Sequence, residues 1–139
     1  MPPIPCIIED MVRATEQSSP DDFSQEAVIC VRQAQSAFAD LLSEAGLAGA
    51  RPTEIGRTLG LDKTLAWKVS RFSDSPDLLK AVKHIPGSGG VEIVLKAAKA
   101  QGVESGYILA VRNADRTFRD FVRQRAGDRR SFEAMLAAG

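Results

Sequence analysis

Five side chains that suit contact with an anionic partner recur at helical spacing in one short stretch. They are Lys63, Thr64, Trp67, Lys68 and Arg71. At about 100° per residue these positions fall on one side of a helix, opposite a group of apolar residues. Lysine and arginine donate charge-assisted hydrogen bonds, and threonine adds a hydroxyl group. Solvated helix faces rarely carry tryptophan, so Trp67 argues against an ordinary solvated face here.

A second short helix is predicted directly before this one, with a glycine turn between them. Ile55 and Leu59 are four residues apart and share a helix face. Gly60 follows at once, where a helix end favours a residue that tolerates the left-handed conformation. Pro52 suits the first position of this helix because proline has no N–H to leave unpaired, and Thr53 can cap it.

Together the two predicted helices resemble the helix-turn-helix of bacterial transcriptional regulators. That motif has a small residue midway along its first helix, matched here by Gly56, and a glycine in the turn, matched by Gly60. Its apolar positions are matched by Ile55, Leu59, Leu61, Ala66 and Val69. The match covers residues 51–72 and identifies no subfamily.

The resemblance implies a sequence-specific DNA-binding protein, a transcriptional regulator that reads the major groove with the second helix, residues 62–72. The partner would be double-stranded DNA, and the expected contact residues are Thr53, Lys63, Thr64, Trp67, Lys68 and Arg71. The alternative is a helical protein–protein interaction module that keeps the scaffold without binding DNA. Two placements stay open for Trp67, an exposed one on this face and a covered one beneath a helix that starts near Pro76.

Outside this segment, apolar residues at helical spacing predict an all-α fold. The expected architecture is a helix-turn-helix DNA-binding domain within a bundle of about six helices. Residues 91–95 leave two possibilities open, a strand of a winged variant or a helix continuing through Ala100. The other expected helices are Ile7–Thr15, Asp22–Ala45, a short helix capped by Ser75 and ending at Lys83, Glu104–Arg125, and Ser131–Ala138.

Composition suggests three regions along the chain. Residues 1–20 are expected to be a flexible N-terminal segment, residues 21–75 the helix-turn-helix domain, and residues 76–139 a C-terminal helical region for packing or dimerisation. The apolar stripes of the two long predicted helices offer more apolar surface than one small domain needs for its core. They therefore predict a homodimer with an interface around Phe118, Phe121 and Val122.

Charge is balanced over the whole chain but unevenly distributed. There are 18 basic and 18 acidic residues, yet the segment 51–72 has five basic residues against two acidic ones. Local basic surfaces on a neutral protein are compatible with specific DNA binding. A row of arginines on the last long helix is either a second phosphate-contacting ridge or a solvated face offset by nearby aspartates. Its members are Arg112, Arg116, Arg119 and Arg123.

Other classes of function find little support in the residues. The chain has one histidine, His84, and two cysteines, Cys6 and Cys30, and none of them has the spacing of metal ligands. No metal site or cofactor is therefore expected. No catalytic constellation is expected either. Cys30 is expected to be a buried thiol. The glycine-rich segment 84–90 is predicted to be a turn-rich loop, and it lacks the lysine and the following Ser/Thr of a P-loop. With no long apolar run, the protein is expected to avoid membranes, to be cytoplasmic and to be no enzyme.

Overall fold

The computed structural model describes residues 20–138, with side chains from Phe23 onward. Within this range the chain is all-helical and forms no strand, which confirms the all-α fold, with seven helices in place of about six. None of them is long and apolar enough to cross a membrane. The helices are α1 (Pro20–Glu44), α2 (Pro52–Leu59), α3 (Lys63–Asp74), α4 (Leu78–Lys83), α5 (Ser88–Ala100), α6 (Ser105–Arg125) and α7 (Arg129–Ala138).

The two long helices, α1 and α6, lie against each other, and the shorter helices pack around them. At one end the Phe23 ring of α1 stacks on Phe121 of α6, with 5.5 Å between ring centroids. At the other end Phe38 of α1 meets Phe72 of α3 edge to face, also at 5.5 Å. One cluster of buried apolar side chains includes residues from both 21–75 and 76–138. The expected helix Ile7–Thr15 and the flexible segment lie outside the described residues, apart from Pro20.

Local capping differs from the sequence expectation at two helix starts. Helix α4 begins at Leu78, because the Asp77 carboxylate accepts a hydrogen bond from the Lys80 N–H at 3.1 Å and so takes the capping role assigned to Ser75. Helix α2 begins at Pro52 as predicted, but Arg51 holds the cap position. Thr53 therefore lies inside the helix, and the expectation that it caps is wrong.

Residues 91–95 are helical, so the strand of a winged variant is not present there. Val91, Val94, Leu95 and Ala98 are all buried and keep the spacing of one helix face. The segment 88–90, expected to be loop, forms the first turn of α5 instead. Packing of this apolar face outweighs the low helix propensity of Gly89 and Gly90.

The apolar stripe on α6 is used within the chain. Phe118 is 2% exposed and Val122 is 7% exposed. The Phe132 ring of α7 packs edge to face on Phe118 and on the half-buried Phe121, with 5.5 and 5.9 Å between ring centroids. This stripe is therefore not the free dimer interface that the sequence suggested.

Helices α2 and α3 approach each other most closely at Gly56. A Cβ atom placed there would lie 3.3 Å from the Ala66 Cβ and 3.3 Å from the Leu61 carbonyl oxygen. Gly60 ends α2 in the left-handed conformation, with φ of 66°. The Gly56 carbonyl accepts hydrogen bonds from the Gly60 and Leu61 N–H groups, which closes the turn into α3.

Replacing Gly56 with leucine tests this close approach. We expect Gly56→Leu to lower the free energy of unfolding by about 1–3 kcal/mol, because the new side chain must push α3 away. Gly106 in α6 is the matched control, since a Cβ there would meet nothing within 4 Å. Gly106→Leu should be neutral or stabilising through its helix propensity. Equal midpoints for the two variants in urea denaturation would contradict the close crossing.

Candidate nucleic-acid interface

Helix α3 has one buried face and one exposed face, as its sequence predicts. The buried face consists of Leu65, Ala66, Val69 and Phe72. On the opposite side Lys63, Thr64 and Arg71 are exposed, Trp67 is 42% exposed, and Lys68 is half-buried. The structure therefore brings these five predicted site residues onto one surface. Thr53 is also exposed, but it lies on α2.

Polar contacts anchor both ends of α3. At its start the Asp62 carboxylate accepts a hydrogen bond from the Leu65 N–H at 2.6 Å. At its end Gln35 of α1, which is only 7% exposed, donates to the Phe72 and Ser75 carbonyls at 2.8 and 2.9 Å. The Gln35 side-chain oxygen accepts from Arg32 at 2.6 Å, so its amide is satisfied on both sides. These bonds hold α3 at a defined position against α1.

Trp67 is partly exposed, which agrees with the first of its two predicted placements. The His84 ring packs against it edge to face, with 4.7 Å between centroids and planes at 88°. The Arg71 guanidinium lies over the indole, 5.5 Å from its centroid. His84 follows α4, the helix that the second placement invoked, so the end of this helix covers Trp67 only in part.

His84 joins the α3 surface to the end of α4. Partial burial lowers the pKa of His84, and the nearby charges of Arg71, Lys68 and Lys83 lower this pKa further. The imidazole is therefore neutral at pH 7. An open groove of about 400 Å³ runs beside it, lined by Trp67, Arg71, Asp74, Ser75, Pro76, Asp77, Lys80 and His84.

The positively charged surface around α3 therefore extends beyond the residues that the sequence predicts. Lys80 and His84 line one groove with Trp67 and Arg71, and the charge of Lys83 acts on His84. None of these three residues is predicted as a site residue from the sequence. Their spacing in sequence carries no signal for this, because the proximity depends on the turn of α4 back towards α3. The only local hint is the short connection between the two helices, with Pro76 in it.

Two arginines hold the end of α4 and the segment that follows it. Arg119 of α6 donates to the Pro86 carbonyl at 3.2 Å, and Arg129 of α7 donates to the Val82 carbonyl. These bonds flank His84 in sequence and fix the segment that carries it. Arg119 also pairs with Asp115 at 2.8 Å. Helices α6 and α7 therefore support the surface without belonging to it.

The arginine row on α6 is largely paired with carboxylates. Arg112 bonds Glu92 at 3.1 Å, and Arg123 lies 3.8 Å from Asp120, in addition to the Arg119 pair. Such pairing favours the solvated-face interpretation of this row over a second phosphate-contacting ridge. Cys30 is buried as predicted, and desolvation followed by the Glu26 charge raises the pKa of its thiol. Among the side chains described, from Phe23 to Ala138, no three of His, Cys, Asp and Glu are grouped to hold a metal ion.

Comparisons with protein-family models, with curated proteins and with solved structures found no match to this chain. The observation with most weight is the exposed face of α3, together with the adjoining end of α4.

Trp67 and Phe72 lie on opposite faces of α3, which makes them a matched pair for measurement. We expect Trp67→Ala to lower the free energy of unfolding by about 1 kcal/mol, the scale of the lost His84 edge contact. Phe72→Ala should cost about 3–5 kcal/mol, because Phe72 is fully buried. Acrylamide should quench the emission of the single tryptophan in the native protein. Unquenched emission and similar costs for both variants would place Trp67 in the core.

Proposed function

We propose that the protein is a sequence-specific DNA-binding protein, a transcriptional regulator in which α2 and α3 form a helix-turn-helix. In this proposal α3 enters the major groove, whose width of about 12 Å admits one helix. The observation that carries the proposal is the exposed face of α3, which the close crossing of α2 and α3 at Gly56 leaves on the outside. Lys63, Trp67 and Arg71 are exposed on this face and Lys68 is half-buried.

Each exposed side chain has a role that fits its position along α3. Lys63 and Thr64 lie in the first turn, where a recognition helix contacts base edges. Lys68 and Arg71 lie one and two turns further along and supply cations for phosphates. Lys63 and Arg71 are about 12 Å apart along the helix axis, a span comparable with the groove width. Trp67 lies between them and would pack on a sugar–phosphate strand.

The proposal extends to assembly and location. A single recognition helix contacts few bases, and two half-sites add affinity, so we propose a homodimer. Its interface must use surfaces other than Phe118 and Val122, which pack within the chain. A regulator of bacterial type works where the DNA is, in the cytoplasm, and acts by binding and not by catalysis.

A second candidate is a protein–protein interaction module. Tryptophan and arginine dominate the energetics of many protein interfaces, and here an exposed Trp67 lies beneath the Arg71 guanidinium. The two candidates differ in what they require of the lysines. A duplex requires several cations at phosphate spacing, whereas a protein partner requires mainly the Trp67–Arg71 pair.

A salt titration distinguishes them. We expect binding to duplexes selected from a random pool, with an affinity that falls steeply with salt because phosphate contacts release counterions. Lys68→Ala should weaken binding and reduce the slope of log affinity against log salt by about 1. Lys96→Ala removes the same charge from α5, on the groove facing α6, and should leave affinity and slope unchanged. Fluorescence anisotropy at two or more salt concentrations gives these values.

The results that oppose the proposal are equally specific. Absence of binding at low salt would support the interaction module. Equal losses for Lys68→Ala and Lys96→Ala would mean that the attraction comes from general charge and not from the face of α3.

A further inference from the structure

The end of α4 adjoins the α3 surface closely enough to act on the same ligand. The His84 ring packs edge to face with the Trp67 indole, and the Arg71 guanidinium lies over it. Lys68 and Lys83 are close enough to His84 for their charges to act on it. Four groups that carry or can acquire positive charge are therefore grouped near His84, beside an exposed ring. A phosphate lying against this ring can accept hydrogen bonds from more than one of them.

We propose that His84, Arg71 and Lys83 form a subsite for one DNA phosphate, and that protonation of His84 strengthens DNA binding, so that affinity rises as the pH falls. This inference rests on the proposed function, since the phosphate is one of the duplex that α3 contacts. It adds a second segment of the chain and a pH response to that function.

The charges that face His84 set the sign of the response. From α3 they are Lys68 and Arg71, and from α4 they are Lys80 and Lys83. The carboxylates on the same groove are those of Asp74 and Asp77. The Asp77 carboxylate is engaged in capping α4, through the Lys80 N–H. On either side of His84 in the sequence, the Val82 and Pro86 carbonyls accept hydrogen bonds from Arg129 and Arg119. Cations thus outnumber carboxylates around the imidazole.

In the free protein partial burial lowers the pKa of His84, and the charges of Arg71, Lys68 and Lys83 lower it further. A phosphate in the subsite reverses the local charge and accepts a hydrogen bond from the imidazolium, whose two nitrogens are both donors. Binding must therefore raise the pKa of His84. By linkage, each unit of that rise is a tenfold gain in affinity for the protonated form. The DNA affinity rises as the pH falls from the pKa of His84 in the complex to the pKa of His84 in the free protein.

Because His84 is the only histidine of the chain, its ring proton signals in the NMR spectrum can be followed without overlap. The titration is made on the full chain alone, with a selected duplex, and with inorganic phosphate. We expect the pKa to rise by about one unit with the duplex. Inorganic phosphate at the same concentration should raise it far less, because it lacks the contacts of α3. An equal rise with inorganic phosphate would overturn the assignment to a DNA phosphate.

Binding measured against pH completes the test. Between pH 8 and pH 5.5 the affinity of the wild type, divided by that of His84→Gln, should rise about tenfold. The ratio removes the titration of every other group. An unchanged ratio, with an unchanged pKa in the complex, would overturn the inference while leaving DNA binding intact. Absence of DNA binding at every pH would overturn both the inference and the proposed function.

Discussion

The contact between Gly56 of α2 and Ala66 of α3 sets the geometry of the exposed surface. Gly56 has no side chain and Ala66 has only a methyl group, so the two helices can lie close together. A Cβ atom on Gly56 would lie only 3.3 Å from the Ala66 Cβ. Interiors pack densely and shift little, so this contact fixes how α3 is rotated about its own axis. The rotation decides that Leu65, Val69 and Phe72 point inward. Every polar residue on the outer face depends on that choice.

The remainder of the chain acts mainly as a support for this arrangement. Gln35 and Arg32 reach from α1 to carbonyls at the end of α3 and just beyond it. The buried Gln35 amide is satisfied on both sides, which permits little displacement. Arg119 and Arg129 act in the same way on the end of α4 and the segment that follows it. The helix that carries Trp67 and the segment that carries His84 are therefore held in fixed positions relative to each other. A rigid surface of this kind loses little conformational entropy when it binds.

Local patterns were sufficient for much of the fold and for the α3 face. The buried and exposed sides of α3 follow from periodicity alone, and the turn at Gly60 follows from the backbone freedom of glycine. The start of α4 was misplaced because Ser75 and Asp77 are both good caps two residues apart, and tertiary contacts decide between them. The helix at Ser88 was missed because two glycines argue locally against it, while burial of Val91 and Leu95 outweighs them. The proximity of His84 to Trp67 depends on packing between helices, so no local pattern reveals it.

In the proposed function one surface, the outer face of α3 with the end of α4, contacts the DNA. Backbone amide NMR spectra of the labelled protein, recorded during addition of a selected duplex, test this proposal. We expect the largest chemical-shift changes at residues 62–72 and 80–85, with little change along the groove between α5 and α6. Changes centred on α5 and α6, or no change at a salt concentration low enough for phosphate contacts, would contradict it.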